Sequence, residues 1–297
     1  MSKICKKLVA LICAVVLLAG FCSFPVSAAS RLNVKSRSLS GASATVLTCT
    51  QIPLYIDNEF IGSGIVINSV PYVPLRAFTE CMLQDSCESM WDQKTGTATI
   101  ISDVLVLSVK TDECYMTAND RYYYLTDRVY NINGTIIVPL RVMATIFSLG
   151  LSLDEEKWSI RIDTGNICIP TPGTQYYDEE DLYWLSRVIS SEAGNQSMEG
   201  MIGVGNVVLN RVRDERESFG SSVYDVIFQP GQFDVVRTGA IYSDPRDSAV
   251  VAAKLCLEGY NTVGNSRWFV NPTIGQTSWF DIYTTYEVTI GDHIFYS

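Results

Sequence analysis

The sequence predicts an α+β protein in two parts, with a duplicated β-rich module first and a mainly helical domain with C-terminal strands second. Three observations lead to this prediction. A strand–turn–helix pattern repeats at an offset of 65 residues, prolines and glycine cluster near residue 170, and apolar spacing becomes helical after Asp178. A length of 297 residues also suits two domains of modest size.

The first 28 residues have the composition of a signal peptide. Three lysines precede an apolar run, Leu8 to Phe21, and Val26-Ser27-Ala28 then supplies small or neutral residues where signal peptidase cleaves. The apolar run is too short to predict a membrane-spanning helix. We expect residues 1–28 to be removed and the protein to be secreted without a stable membrane anchor.

The chain is acidic, with 22 basic and 32 acidic residues and a net charge of −10. Residues 1–28 contain three lysines and no acidic residue, so the remainder has 19 basic and 32 acidic residues, a net charge of about −13. Because like charges repel, this balance argues against a nucleic-acid partner and against charge-driven binding to anionic polymers.

Six cysteines follow the predicted cleavage site, and an exported chain permits disulfides. They are Cys49, Cys81, Cys87, Cys114, Cys168 and Cys256. Six cysteines allow 15 pairings, among which the sequence does not choose. The chain has no CxxC pair and a single histidine, His293, so we predict neither a metal site nor a cofactor.

The first half contains two copies of one pattern. Residues 66–76 read VINSVPYVPLR and residues 131–141 read NINGTIIVPLR. Each copy passes from a two-residue hairpin turn through a strand to a Pro-Leu-Arg that opens a helix, over 77–83 and 142–149. WDQKTGTATI and LDEEKWSIRI follow as strand-like runs, which predicts a mostly β module with one short helix in each half.

Two further hairpins are predicted, with turns at Asp57-Asn58 and Asn119-Asp120. The doubled VPLR pattern resembles the copper amine oxidase N-terminal-like domain over residues 50–163. The resemblance implies no copper here, since this half of the chain has no histidine. It implies an accessory module with a wall or protein partner, and a plain spacer is the alternative.

A linker is predicted at residues 164–176, where Pro170, Pro172 and Gly173 limit bending. The second domain then covers residues 177–297. Its predicted elements are helices from Asp178 to Glu192, Ser197 to Arg213 and Pro245 to Glu258, a strand in 267–272, and a hairpin with Gly291-Asp292 at its turn. In the second helix, Gly200, Gly203 and Gly205 allow a neighbouring element to approach closely.

Glu192 continues the apolar stripe of the first of these helices, where Leu182, Leu185 and Val188 precede it. A carboxyl group on an inner helix face is partly desolvated, which raises its pKa and keeps it protonated near neutral pH. Glycosidic cleavage requires such an acid to protonate the leaving oxygen. The alternative is a solvated glutamate at a helix end.

Three blocks in the second half, SEAGNQSMEGMIGVGNVVLNRV, VYDVIFQPGQF and IGDHIFY, resemble the spore cortex-lytic cell-wall hydrolase family (SleB type) over residues 180–297. The resemblance implies a lysozyme-like, α-rich fold that cleaves the glycan strands of peptidoglycan, commonly as a lytic transglycosylase. It places the protein in the cell wall or spore envelope, with a role in wall or spore cortex remodelling at germination. The family's catalytic glutamate corresponds to Glu192.

The same resemblance suggests substrate-binding residues. Gln232 would bind an N-acetyl group or a sugar hydroxyl, and Phe233 would stack on a sugar face or, alternatively, belong to the core. Asn210 would orient Glu192 or substrate, with a surface amide as the alternative, and Asn271 would contact substrate or form a turn. His293 is interpreted as a scaffold or cleft-rim residue.

The implied reaction uses Glu192 first as an acid toward the bond between N-acetylmuramic acid and N-acetylglucosamine. The carboxylate then acts as a base toward the C6 hydroxyl and closes a 1,6-anhydro ring. A hydrolytic muramidase would instead need a second carboxylate, for which Asp234 is the candidate, with a loop-capping role as its alternative. The sequence does not separate these two outcomes.

Other classes of protein fit the sequence less well. A serine hydrolase lacks a G-x-S-x-G motif, and a cysteine peptidase would require Cys256, which lies on an apolar helix stripe. The remaining alternative is a non-catalytic wall-binding or interaction protein. The joint presence of Glu192, Gln232-Phe233 and IGDHIFY favours the enzyme.

Overall fold

The computed structural model describes residues 31–36, 45–111, 113–165, 167–214, 219–275 and 278–297. The predicted signal peptide lies outside them. The chain forms two compact units that divide between Pro172 and Gly173. The first is rich in strands and the second in helices, which confirms the predicted α+β class. That the second unit is lysozyme-like stays a prediction.

The first unit consists of two sheets, mostly antiparallel, and two short helices. Its strands are β1 (Arg31–Ser36), β2 (Thr45–Ile56), β3 (Glu59–Ile67), β4 (Val70–Pro74), β5 (Glu88–Asp92), β6 (Thr97–Ile101), β7 (Val106–Lys110), β8 (Tyr115–Ala118), β9 (Arg121–Tyr124), β10 (Tyr130–Ile132), β11 (Thr135–Pro139), β12 (Gly150–Asp154) and β13 (Ser159–Asp163), and its helices are α1 (Leu75–Leu83) and α2 (Leu140–Phe147). One sheet has the order β1-β10-β11-β4-β3-β2-β13-β12, with β1 also paired to β2, and another runs from β5 to β9 in sequence order.

All four two-residue turns predicted in the first half of the chain are confirmed. Both residues of each turn have positive φ, as a type I′ hairpin requires, and Asn, Asp and Gly tolerate this backbone best. The turns are Asp57-Asn58, Asn68-Ser69, Asn119-Asp120 and Asn133-Gly134. Each joins two antiparallel strands.

The sequence duplication corresponds to a structural duplication. α1 follows Pro74 and ends at Gln84, while α2 follows Pro139 and ends at Ser148, and both terminal residues have left-handed backbone. The apolar faces of both helices enter one core between the two sheets. The two VPLR segments thus place equivalent helices in equivalent positions.

The segment 164–176, predicted as a linker, is largely incorporated into the two units. Ile167 and Ile169 pack against the core of the first unit, and the Cys168 N–H donates to the Phe147 carbonyl at 3.2 Å. The end of the segment forms a short helix of the second unit. The apolar side chains explain this difference, because their burial in the core is more favourable in free energy than their exposure to water in a linker.

The second unit is a set of helices followed by a three-stranded sheet. Its elements are α3 (Gly173–Tyr176), α4 (Glu179–Ala193), α5 (Met198–Val212), α6 (Val223–Phe228), α7 (Asp234–Thr238), a 3₁₀ turn (Ala240–Tyr242), α8 (Asp247–Leu257), β14 (Trp268–Val270), α9 (Ser278–Tyr283), β15 (Tyr286–Ile290) and β16 (His293–Tyr296). The predicted helices and strands are all present, and Asp178 and Ser197 cap α4 and α5 through side-chain oxygens. Within the described ranges no helix is long and apolar enough to cross a membrane.

The glycines of α5 allow the close packing that the sequence predicts. A methyl group added at Gly205 would lie 2.7 Å from Cys256 Sγ and 2.8 Å from Ile189 Cδ1, both buried. At Gly200, by contrast, the closest atom would be Gln196 Cβ at 3.1 Å, a longer contact than those at Gly205. Gly205 is therefore a point where both α4 and α8 approach α5 closely.

We expect Gly205→Ala to lower the free energy of unfolding of the second unit by about 1–2 kcal/mol. Overpacking costs about 1–3 kcal/mol, and the better helix propensity of alanine offsets up to about 1 kcal/mol of that. Urea unfolding followed by helical circular dichroism measures the change. Gly200→Ala in the same helix is the control and should change the free energy of unfolding less, because its closest contact is longer. Equal stabilities for both variants would contradict close packing at Gly205.

Candidate active site

Glu192 lies in the last turn of α4, directly beyond the buried side chains of Leu185, Val188 and Ile189. Its side chain is partly buried, whereas the neighbouring Asn195 is exposed. The helix thus ends where its inner face turns toward solvent. A carboxyl group in this position is desolvated and can still be reached by a ligand.

Burial raises the pKa of Glu192 to about 7, and the negative charge of Asp234 adds to this increase. Burial is the larger cause, because it removes the water that would stabilise the charged carboxylate. Near neutral pH a substantial fraction of Glu192 therefore carries a proton, as a general acid must.

Asp234 is the first residue of α7, and its side chain is 85% exposed. It pairs with Arg237 at 3.3 Å, and its charge acts on Glu192. The 3₁₀ turn after α7 lies against α4, where Ser191 Oγ donates to the Ala240 carbonyl at 3.3 Å. Two carboxyl groups in contrasting environments, one desolvated and one hydrated, are thus brought into electrostatic range.

Contacts from distant segments hold the end of α4 in place. The Arg246 guanidinium donates to the Gly194 carbonyl, and the Arg246 N–H donates to Ser190 Oγ at 3.1 Å. Gln196 Nε2 donates to Asp292 Oδ2 at 2.9 Å, and the Asp292 N–H donates back to Gln196 Oε1 at 3.1 Å. Sequence reasoning missed these residues, because partners 52 and 96 residues apart leave no local spacing signal.

The ring of Phe233 is buried, as expected for the core aromatic that is the alternative to sugar stacking. Its ring is 5% exposed and packs 6.5 Å from the ring of Phe269. The Arg211 guanidinium lies 5.3 Å from the centre of the same ring. Phe233 is therefore a core aromatic that anchors the chain immediately before Asp234.

Gln232 is exposed in the turn before α7, and its backbone N–H donates to the Gln229 carbonyl at 3.2 Å. It is two residues from Asp234, so its side-chain amide is available to a ligand on this side of the unit. Its contact with a sugar substituent stays a prediction.

Asn210 and Asn271 make structural hydrogen bonds, and their contact with substrate stays a prediction. Asn210 Nδ2 donates to the carbonyls of Gly264 and Ser266, each at 2.9 Å, and so ties α5 to the loop before β14. Asn271 Oδ1 accepts from the backbone N–H of Thr273 at 3.0 Å and forms a turn. Short polar side chains satisfy backbone groups more readily than they stay open for a ligand.

We expect Asn210→Ala to lower the free energy of unfolding of the second unit by about 1–2 kcal/mol without changing kcat. The variant loses two hydrogen bonds to carbonyl groups in a partly buried loop. Denaturant unfolding and turnover on soluble glycan fragments measure the two effects separately. Asn265→Ala, at an exposed position of the same loop, serves as the control. A large fall in kcat at unchanged stability would restore the substrate-binding interpretation.

The two remaining candidates are also buried. Cys256 is 1% exposed, burial raises the pKa of its thiol, and its Sγ contacts the Ile202 carbonyl at 3.3 Å, which rules against a nucleophile. His293 packs edge-on against Phe269 with 5.2 Å between the ring centres, as a scaffold residue would. Across the described residues, no group of three or more His, Cys, Asp or Glu is placed to hold a metal ion.

Two family models match the chain. The model for cell wall hydrolases matches residues 195–296, beginning three residues after Glu192, and the model for the copper amine oxidase N-terminal domain matches residues 55–162. Both families agree with those that the sequence motifs indicate.

Curated relatives and a solved structure match part of the chain. A spore cortex-lytic enzyme of Oceanobacillus iheyensis is 32% identical over 139 residues, which cover 44% of this chain and 49% of that protein. The chain thus spans about half the length of such relatives. The catalytic domain of the germination-specific lytic transglycosylase SleB from Bacillus anthracis is 29% identical, with 43% of this chain and all of that domain covered and a TM-score of 0.38.

A shorter relative is covered more fully. The cell wall hydrolase CwlJ of Halalkalibacterium halodurans is 32% identical over 97 residues, which make up 31% of this chain and 68% of that protein. Taken with the match of the family model to residues 195–296, this similarity shows that the chain belongs to the cell wall hydrolase family.

Proposed function

We propose that the chain is a secreted peptidoglycan-cleaving glycosidase that acts on the bond between N-acetylmuramic acid and N-acetylglucosamine as a lytic transglycosylase. One observation supports this most strongly. Glu192 ends an inner helix face, is partly buried, and has a pKa raised to about 7. A carboxylic acid that holds its proton near neutral pH can protonate a glycosidic oxygen.

The reaction proceeds in two steps that use the same carboxyl group. Glu192 donates its proton to the glycosidic oxygen as the bond to the muramic acid C1 breaks and positive charge develops on that sugar. The carboxylate then removes the proton of the C6 hydroxyl, whose oxygen attacks C1 and closes the 1,6-anhydro ring. Glu192 recovers its proton, so the cycle consumes no water.

Asp234 assists both steps electrostatically. Its negative charge favours the protonated form of Glu192 before cleavage. The same charge stabilises the positive sugar in the transition state. The short helix α7 holds Asp234 close enough for both effects.

The similarity to cell wall hydrolases supports peptidoglycan as the polymer, and the spore cortex-lytic relatives support action in spore cortex or cell wall. We propose peptidoglycan glycan strands as the partner of the second unit. In this proposal the N-terminal module serves as an accessory to the catalytic unit.

A hydrolytic muramidase is the second candidate, and the position of Asp234 favours it. A hydrated carboxylate within electrostatic range of a protonated one is the arrangement that activates water for hydrolysis. In that reaction the products carry ordinary reducing ends instead of anhydro ends.

Mass spectrometry of the fragments released from purified peptidoglycan distinguishes these reactions. The chain from residue 29 is compared with its Glu192→Gln variant on vegetative wall and on spore cortex. Anhydro-muramic ends from the unsubstituted protein alone are the expected result. Reducing muramic ends would identify the muramidase, and no cleavage of either polymer would leave a wall-binding protein.

A further inference from the structure

A cavity of about 520 Å³ lies in the first unit, on a face of the eight-stranded sheet. Strands β2, β3, β4, β12 and β13 and the start of α2 line it. Its floor includes the buried apolar side chains of Ile52, Leu140 and Ile160. The volume falls in the range of about 300–1,000 Å³ that small-ligand sites occupy.

The lining residues combine an apolar floor with several hydrogen-bonding groups. Hydroxyl and amide side chains come from Thr48, Thr50, Asn68, Ser69 and Ser152. An indole, from Trp158, and a guanidinium, from Arg141, complete the set. The site therefore offers an aromatic face, neutral hydrogen-bonding groups and a positive charge.

Trp158 is held in a strained backbone conformation at this cavity. It ends the loop between β12 and β13 with φ of 47°, a left-handed value that bulky residues rarely adopt, and its side chain is 49% exposed. The equivalent loop of the first repeat, between β5 and β6, has Gly96 at this place with φ of 69°. The second repeat thus accepts strain in order to present an aromatic ring, and such strain is concentrated at functional sites.

Arg141 provides a second difference between the two repeats. Arg76 donates to Glu80 Oε1 at 2.9 Å, four residues along α1. In α2 the residue four positions after Arg141 is Thr145, which has no charge. Within the part of the chain that the structure describes, the exposed Arg141 has no ion-pair partner, so its charge is available to an anion.

Both departures from the first repeat occur at one cavity, so they point to a ligand and not to folding. We propose that this cavity binds a carboxylate-bearing amino sugar of a wall glycan, an N-acetylmuramyl unit whose lactyl carboxylate carries no stem peptide. The indole of Trp158 packs on the apolar face of the sugar ring, and Arg141 pairs with the carboxylate. The hydroxyl and amide groups of Asn68 and Ser69 bind the N-acetyl and hydroxyl groups.

The choice of a wall sugar as ligand rests on the proposed function of the second unit. The chemical character of the cavity is independent of that function. If the ligand is bound as proposed, the first unit holds the polymer while the second unit cleaves it. The two tethered sites then raise each other's effective concentration of substrate.

The test is a titration of the Glu192→Gln protein with the disaccharide of N-acetylglucosamine and N-acetylmuramic acid, followed by NMR of the five tryptophan indole signals. Trp158→Gly assigns the signal of Trp158, and it should not destabilise the fold because glycine suits this backbone. The expected result is a shift of the Trp158 signal on titration. In Arg141→Gln the Kd for the disaccharide should be at least tenfold higher. Arg76→Gln, the counterpart in the first repeat, should change Kd less than twofold.

Two further probes separate the parts of the ligand. Chitobiose lacks the carboxylate and L-alanyl-D-glutamate lacks the sugar, and each should bind at least tenfold more weakly than the disaccharide. Equal binding of either probe, or an unmoved Trp158 signal, would overturn the proposal. Wild-type and Arg141→Gln proteins should cleave short soluble glycans equally, so failure to cleave overturns only the proposed function.

Discussion

Glu192→Gln should lower the rate of glycan cleavage by between about 10² and 10⁴-fold, the range that general acid–base catalysis contributes. Glutamine has nearly the same size and retains hydrogen-bonding groups, so binding of the polymer should persist. It cannot donate the proton that the leaving oxygen requires or take one from the C6 hydroxyl. Release of soluble fragments from purified peptidoglycan, measured at equal bound protein, gives the ratio of rates.

The same substitution should stabilise the fold above neutral pH. A folded pKa of about 7 lies above the usual value of 4.5, so the folded state binds more protons than the unfolded state between these values. Stability is therefore lost as pH rises from about 4.5 to 7, on the order of 3 kcal/mol at about 1.4 kcal/mol for each pH unit. Glutamine has no charge to desolvate, so the Tm of Glu192→Gln should exceed that of the wild type at pH 8.

Glu180→Gln is the control for both effects. Glu180 is in the first turn of the same helix and is exposed, so its loss removes the same charge without a desolvated group. We expect unchanged cleavage and a stability change within about 1 kcal/mol. If Glu192→Gln kept more than a tenth of the wild-type rate, Glu192 would not be the general acid.

The turns and helix boundaries could be predicted because local chemistry determines them. Asn and Asp tolerate left-handed backbone, so four two-residue turns were located to the residue. Asp178 and Ser197 cap helices with their own side chains, so both helix starts were also predicted correctly. Each of these features depends on residues that are near neighbours in the chain.

The sequence could not predict the surroundings of the candidate site residues where burial depends on distant segments. Phe233 belongs to the VYDVIFQPGQF block, but Phe269 and Arg211 pack against its ring. Asn210 is bound to carbonyl groups 54 and 56 residues away. Spacing within a motif identifies which residues are neighbours along the chain, and does not show which of them the fold leaves open to a ligand.

The strained tryptophan of the first unit shows another limit. The repeat aligned WDQKTGTATI with LDEEKWSIRI as strand-like runs, but it predicted neither the loop within each run nor Trp158 in place of Gly96 at a left-handed position. Glycine is the expected residue there on backbone grounds alone. Only the cavity beside Trp158 gives this exception a physical reason.

The pH dependence of cleavage should report both carboxyl groups. Because Glu192 acts as an acid with a pKa of about 7, kcat/KM should be constant at lower pH and fall tenfold per pH unit above it. Asp234→Asn removes a negative charge that favours the protonated form, so the fall should begin at lower pH. Rates on soluble glycan fragments between pH 4.5 and pH 9 measure the displacement.

The rate of Asp234→Asn at pH 5 then decides between the two mechanisms, since Glu192 is protonated there in either protein. A lytic transglycosylase needs no water-activating base, so the variant should keep a rate within about tenfold of the wild type. A muramidase would lose about 10²-fold or more with its base. Glu180→Gln should leave the profile unchanged. Glu180 lies twelve positions before Glu192 in the helix, about 18 Å away, which is beyond the screening length of about 10 Å at 0.1 M salt. A displacement toward higher pH in Asp234→Asn would contradict the assigned effect of Asp234 on the pKa of Glu192.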